Sequence, residues 1–288
     1  MDTRTLEIFK SVVAEGTVSK AADALNYVQS NVTARIRRLE EEIGAKLFYR
    51  SRRGMTLTPS GEVLLDYADR ALRVFDEARR AVADSAGVIG PLRLGSMEST
   101  LAARLPAVLA AYRRRFSRVR LSLATGPTDR LVDDLLAHKL DAALVGGRVH
   151  RPEILQEVAF SETIVLVTDA ACADPTEIAD RALLAFKQGC SYRALAEHWL
   201  RISGLAPVEI YELGTLDGIL ACVAAGVGVT LMPESVVAKS PHAALLRTFP
   251  AGAPDLTVDT MIIRHREAAA NAALDNFVEI LRAHAGDA

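Results

Sequence analysis

The chain has 288 residues, 50% of them hydrophobic and 24% charged, with 34 Lys/Arg against 36 Asp/Glu for a net charge of −2. That balance excludes wholesale disorder and a small basic coat protein, and at roughly 150 residues per domain it suggests two domains. The charge is uneven: residues 1–60 hold ten Lys/Arg and seven Asp/Glu, a balance of +3 that leaves −5 on the remainder, the pattern of an anion-seeking head on an acidic body.

In the head, Leu6, Phe9, Val12 and Val13 repeat at helical spacing and Gly16 suits a C-terminal stop. Thr17 can cap a second short helix whose buried stripe is Val18, Ala21, Ala22 and Leu25. Leu25-Asn26-Tyr27 reads as a tight connection, with Asn tolerant of left-handed backbone. In a third helix, Val28, Val32, Ile36, Leu39 and Ile43 step by 4, 4, 3 and 4 along one apolar face. Gln29, Ser30, Thr33, Ala34, Arg37 and Arg38 lie away from that face. Two short helices and a tight turn, the second helix presenting amides, hydroxyls and arginines, suit a reader of base edges and phosphates. The bland alternative is a solvated face on a three-helix core. Next, Leu47-Phe48 leads through Arg50, Arg52, Arg53 and Gly54 into alternating Met55-Thr56-Leu57-Thr58, a hairpin wing that sets arginines against DNA. Pro59, capped by Thr58, starts a new helix.

The run Phe9…Gly16-Thr17…Ala21-Ala22…Leu25…Gln29-Ser30…Val32-Thr33…Ile36…Leu39-Glu40…Gly44…Leu47-Phe48…Arg50…Arg53…Leu57-Thr58…Gly61 resembles the N-terminal signature of LysR-type transcriptional regulators. Thr33 keeps the hydroxyl where the family commonly has Ser, and Ala34 is shorter than the usual polar residue. The resemblance implies a DNA-binding set of Gln29, Ser30, Asn31, Thr33, Arg37 and Arg38 at the major groove, with Arg50, Arg52 and Arg53 on the wing. It also implies an α+α/β chain. Residues 1–58 form a winged helix-turn-helix, 59–88 a long linker and dimerisation helix, and 89–288 a two-lobed α/β effector domain resembling periplasmic binding proteins.

In the linker, Leu64, Ala68, Ala71, Phe75, Ala78 and Val82 step by 4, 3, 4, 3, 4. Such a seven-residue seam pairs helices; the alternative is one amphipathic helix packed on its own domain. Asp66, Asp69, Arg70, Arg73, Asp76, Glu77, Arg79 and Arg80 form the charged outer face, and Ser85-Ala86-Gly87 ends the helix. From residue 91 strands and helices alternate: strand 92–95, helix Leu101–Phe116, strand 119–124, helix 130–138, strand 142–145 and strand Thr163–Val167. The pattern restarts with strand 182–186, helix 192–202, strand 208–212, helix 216–225 and strand 228–232, then strand Met261–Arg264 and helix 268–284. This alternation predicts a doubly wound parallel sheet. The restart predicts lobe I at about 91–161 and 265–288 and lobe II at about 162–264, with the chain dividing near Ser161 and rejoining near Met261.

Ligands in such sheets sit beyond the strand ends at helix N-termini. Loops Gly95–Thr100, Thr125–Thr128, Gly189–Arg193 and Gly214-Thr215 carry hydroxyls, free N–H groups and one Arg, suited to an anion such as a carboxylate. With the family's matching positions, the expected effector site is Ser96, Glu98, Ser99, Thr100, Thr128, Ser191, Arg193 and Thr215. Plain capping explains each hydroxyl equally well. Glu98 either favours a helix dipole or meets an ammonium group, which with Arg193 would suit an amino acid. Cys190 invites comparison with peroxide-sensing members of the family, but aligning the loops on Gly189 and Arg193 places Ser191 at the reactive position.

No G-x-S-x-G, H-E-x-x-H or G-x-x-x-x-G-K-[ST] run appears, and the six His are scattered, so no enzyme, metal site or cofactor is expected. Met1-Asp2-Thr3-Arg4-Thr5 has no secretory core, no apolar window approaches 18 residues, and Cys172, Cys190 and Cys222 form no C-x-x-C pair; the expectation is a reduced cytoplasmic protein, neither a membrane protein nor a secreted solute binder. The expected partners are double-stranded DNA at a pseudo-palindromic site, a second copy in a dimer or tetramer, RNA polymerase, and a small carboxylate or amino-acid-like effector. Effector binding between the lobes would change their angle, the spacing of the heads and the bending of the DNA.

Overall fold

The computed structural model describes residues 1–51, 54–83, 88–178, 180–204, 209–252, 256–268 and 270–285, side chains excepted at 73, 76, 77, 79–83 and 177. Arg52, Arg53, the Val82 end of the seam, the side chains of Arg73, Asp76, Glu77, Arg79 and Arg80, and the Ser85-Ala86-Gly87 stop therefore lie outside the description. The chain separates into two compact units, Met1–Ser85 and Ala86–Ala288. Among the described residues, no helix is long and apolar enough to cross a membrane.

In the first unit, α1 (Thr3–Glu15) ends at Gly16 in the left-handed region, and α2 (Val18–Ala24) is capped by the Thr17 hydroxyl, which accepts from Lys20 N. Asn26 takes φ 56° and turns the chain into α3 (Gln29–Ile43). Strands β1 (Phe48–Ser51) and β2 (Gly54–Leu57) pair antiparallel, with Arg50 opposite Met55. Gly54 has φ 130°, and a Cβ there would lie 2.5 Å from the Gly16 carbonyl; only glycine lets the wing reach the α1–α2 turn, where Met55 N donates to Gly16 O at 2.8 Å. Helix α4 (Pro59–Ala83) follows, its start served by Thr58 Oγ1, which accepts from Gly61 N at 3.1 Å.

Two expectations change here. Val28 and Ile43 are 67% and 40% exposed rather than part of the buried face of α3: Val28 precedes the first helical turn and Ile43 ends the last. The α4 seam also divides. Leu64, Ala68 and Ala71, with Leu65 and Leu72, pack on the head's own core. Val63, Tyr67, Val74 and Phe75 are the exposed apolar residues.

In the second unit, nine strands join among the described residues, in the order β4-β3-β5-β11-β6-β9-β7-β8, with β10 also on β6. Lobe I contains β3 (Gly90–Ser96), β4 (Val119–Thr125) and β5 (Ala142–Gly146), with α5 (Glu98–Ala103), α6 (Leu105–Arg115) and α7 (Thr128–Leu136). The 16-residue β6 (Ile154–Asp169) leaves it. Lobe II holds β7 (Ala182–Ala185), α8 (Ser191–Ile202), β8 (Ile210–Glu212), α9 (Leu216–Ala224), β9 (Gly228–Pro233), α10 (Glu234–Ala238) and β10 (Leu246–Pro250). β11 (Thr257–His265) and α11 (Ala272–His284) complete lobe I.

The sheet is mixed rather than wholly parallel. β3 with β4 and β5, and β7 with β8 and β9, are parallel; β11 runs antiparallel to β5 and β6, and β6 antiparallel to β9 and β10. The reason is β6 itself. Residues 154–163 pair with β11 and 164–167 with β9, so one strand serves both lobes and returns without crossover helices. The predicted helix Leu101–Phe116 is two helices, α5 and α6, because Pro106 supplies a fresh helix start after Arg104. Tyr112 and Phe277 anchor lobe I beneath α6 and α11, edge to face at 5.6 Å; the Tyr112 hydroxyl donates to Ala273 O at 2.8 Å. A second core runs continuously from Leu131 and Met261 to Leu183 and Tyr192, so the lobes share it.

Candidate nucleic-acid interface and ligand cleft

On the head, Gln29, Ser30, Arg37 and Arg38 are exposed and Asn31 and Thr33 half-buried along α3. Gln29 is additionally held from α2 by its Nε2 donating to Ser19 Oγ. A carboxylate sets the wing. Glu40 is 3% exposed and accepts from Leu47 N at 3.0 Å, Lys46 Nζ at 3.1 Å and an Arg50 nitrogen at 3.4 Å. Burial pushes this carboxyl up, but the Leu47 N–H, Lys46 and Arg50 together outweigh burial and hold it below the ordinary 4.5. Arg37, Lys46 and Arg50, with Glu41 and Phe48, line one depression between α3 and β1. Three cations in one concavity beside an exposed polar helix suit a phosphate backbone and an adjoining groove. Lys46 and Glu40 are absent from the DNA-binding set expected on sequence grounds, although Glu40 belongs to the signature run. Their signal was weak: Lys46 is one lysine outside any periodic face, and Glu40 sits next to a charged run that reads as solvated.

Between the lobes lies a cavity of about 350 Å³. Lobe I contributes Met97, Glu98 and Ser99, then Thr125, Gly126, Pro127 and Arg130. Lobe II contributes Phe186, Lys187, Gln188, Cys190 and Tyr192, with Leu213 and Gly214. Of the eight expected effector residues, Glu98 and Ser99 line it; the other six have different placements. Ser96 and Thr100 are buried, the Ser96 hydroxyl donating to Met97 O at 2.9 Å. The Thr128 hydroxyl accepts from Gly146 N at 3.3 Å. Ser191 packs at the lobe junction, 3.6 Å from Met97 Sδ, where a Cβ on Gly146 would lie 2.2 Å from its Oγ. Thr215 caps α9 by accepting from Gly218 N at 3.1 Å.

Arg193 departs most from expectation. Its guanidinium donates to Glu197 at 2.8 Å, Glu212 at 2.7 Å and Phe186 O at 3.1 Å, which joins α8 to β7 and β8 and leaves the side chain 12% exposed. Two glutamates already neutralise it. The cations on the cavity wall are Arg130 and Lys187, which loop composition had not singled out.

Tyr192 is buried against Ser99 and Thr260, and burial pushes its phenol up to about 12. Burial likewise raises the Cys190 thiol, against the backbone N–H groups of Arg193 and Tyr192 and the Arg193 charge; the thiol is protonated at neutral pH, which disfavours thiolate chemistry. The lobes are tied beside this cavity. Arg104 grips Glu162 through two hydrogen bonds of 2.7 and 2.9 Å, Ser235 of α10 donates to the same carboxylate at 2.8 Å, and Lys239 Nζ donates to Ala103 O at 2.6 Å. Glu98 Oε1 crosses to accept from Leu216 N at 2.9 Å.

Comparison with known proteins agrees with both halves. Residues 3–62 match the bacterial regulatory helix-turn-helix protein, lysR family, and residues 85–286 the LysR substrate binding domain. The chain is 40% identical over 287 residues to the HTH-type transcriptional regulator GltR of Bacillus subtilis (strain 168), covering 99% of this chain and 97% of that one. It is 39% identical over 282 residues to the HTH-type transcriptional regulator SoxR of Arthrobacter sp. (strain TE1826), covering 98% and 97%. Among solved structures, full-length CbnR complexed with its target DNA superposes with a TM-score of 0.72 at 22% identity, covering 99% of this chain and 100% of that one. The chain is a member of the LysR family, a DNA-binding transcriptional regulator with an effector-binding domain.

Proposed function

We propose that this regulator grips a pseudo-palindromic DNA site as a dimer, through α3 and the wing of each head, and that a small carboxylate or amino-acid-like effector in the interlobe cavity adjusts the grip. The observation that carries the DNA half is the exposed polar face of α3 beside the Arg37–Lys46–Arg50 depression. The exposed stripe of Val63, Tyr67, Val74 and Phe75 on α4 supports pairing with a second copy. Two tethered heads gain from effective concentration where one binds weakly at physiological salt. The effector half is supported by a cavity of ligand size with polar groups from both lobes. A ligand contacting both lobes favours one interlobe angle, and allosteric coupling is typically about 1–3 kcal/mol. Head spacing, DNA bending and contact with RNA polymerase follow from that angle, and assembly to a tetramer would run through the effector domains. A mobility shift on the DNA upstream of the protein's own coding sequence tests the reading: a specific complex whose affinity falls steeply with salt is expected, and no specific shift at low salt would refute it.

A further inference from the structure

The charges on the cavity wall are arranged by sign. Arg130 of lobe I and Lys187 of lobe II supply positive charge; Asp134 lies 3.7 Å from Arg130, but with Arg130 73% exposed that pairing is weak. Helices α7 and α8 begin at Pro127 on lobe I and Cys190 on lobe II, both lining the cavity, but Asp129 offsets the dipole in the first turn of α7 and the Tyr192 and Arg193 N–H groups of α8 face the Cys190 thiol, so the positive side rests on the two side chains. The start of α9 differs. Thr215 serves Gly218 N, and Glu98, reaching from the opposite lobe, serves Leu216 N. The protein's own carboxylate thus holds the place an incoming anion would take at α9, while its second oxygen makes no hydrogen bond among the described residues.

We infer that Glu98 sets the charge class of the effector and that the cleft takes a zwitterion, an amino acid rather than a simple or dicarboxylic acid. The inference rests on the effector reading of this cavity. The ligand's carboxylate lies toward Arg130 and Lys187; its ammonium group meets the free oxygen of Glu98; Met97 and Phe186 face the carbon skeleton. A dicarboxylate brings its second anion against Glu98, and swinging Glu98 away strands the Leu216 N–H. A carboxylic acid lacking the amino group leaves the Glu98 charge unanswered inside the closed site.

The test is calorimetry on the full-length protein with each of the twenty L-amino acids and with each corresponding acid lacking the amino group. At least one amino acid is expected to bind roughly tenfold or more tightly than its deaminated partner, the size of one charge-assisted contact. Glu98→Gln, which keeps an acceptor for Leu216 N, should erase that preference without weakening the deaminated acid. Arg130→Ala should weaken both. Equal binding of the pair by the native protein, or an unchanged preference in Glu98→Gln, overturns the inference while leaving a carboxylate site in place. Failure of every amino acid and every acid to bind removes the effector reading as well.

Discussion

Val28 stands where a helix start is served by a hydroxyl or a carboxylate. It precedes α3, offers no side-chain hydrogen bond to the first turn, and exposes an apolar surface at the head of the helix assigned to DNA. Val28→Ser should supply the missing cap and raise the head's stability by about 1 kcal/mol, read as an upward shift of its urea midpoint. If a thymine methyl is what Val28 meets, the same variant loses DNA affinity while gaining stability. Arg193 gives the complementary lesson. Its 2.7 Å contact to Glu212 joins residues 19 apart, a pairing between α8 and β8 that is invisible in any local pattern. Arg193→Ala should therefore lower the thermal midpoint of the effector domain while leaving ligand affinity within about threefold; Arg130→Ala should do the reverse, a surface change costing little stability. Parts of the cavity lining were legible as a set of loops, since glycines and hydroxyls before helices mark strand ends. Which cation faces the cleft was not legible, because that depends on which carboxylates fold against each arginine.

At the scale of elements, the buried Glu40 clasp joins α3 to β1 and orients Arg50. Its carboxyl titrates below 4.5 in the folded head, so its contribution is complete above that value and fades as pH falls through the lower, folded one. The head should lose stability on acidification below about pH 4.5, monitored by helical circular dichroism. Glu40→Gln should remove most of that dependence and cost about 2 kcal/mol at neutral pH, the worth of charge-assisted hydrogen bonds. An unchanged acid profile in Glu40→Gln would assign the transition to other carboxylates. The helices of the head were plain from spacing because each buries one stripe against the same small core. β6 was not: only Thr163–Val167 reads as strand, since Gln156, Glu157, Ser161 and Glu162 interrupt the apolar pattern upstream. Glu162 can stand in a strand because Arg104, at the junction of α5 and α6, meets it with paired hydrogen bonds, a compensation supplied from outside the strand. The α4 seam was ambiguous for a related reason. A seven-residue repeat states that a stripe will be covered, and the head core covers its first half.

For the whole molecule, the question is whether two heads act together on DNA. Each Lys or Arg contact to phosphate contributes about 0.9 to the slope of log affinity against log salt. A dimer counts each residue twice, so Arg37→Ala should flatten the slope by about 1.8, against about 0.9 for a single head. Val74, 62% exposed on α4, provides the independent control. Val74→Glu places a charge on the stripe that a partner helix would bury, a costly change in an interface and a nearly neutral one on a free surface. Sedimentation should show the variant shifted toward monomer, its DNA complex weakened at physiological salt, and its slope close to half the native value. Helical content should be unchanged, because Val74 is not part of the head core. A monomeric Val74→Glu protein that kept the full slope would mean that one head makes all the phosphate contacts. The pairing proposed here for α4 would then have no part in reading DNA.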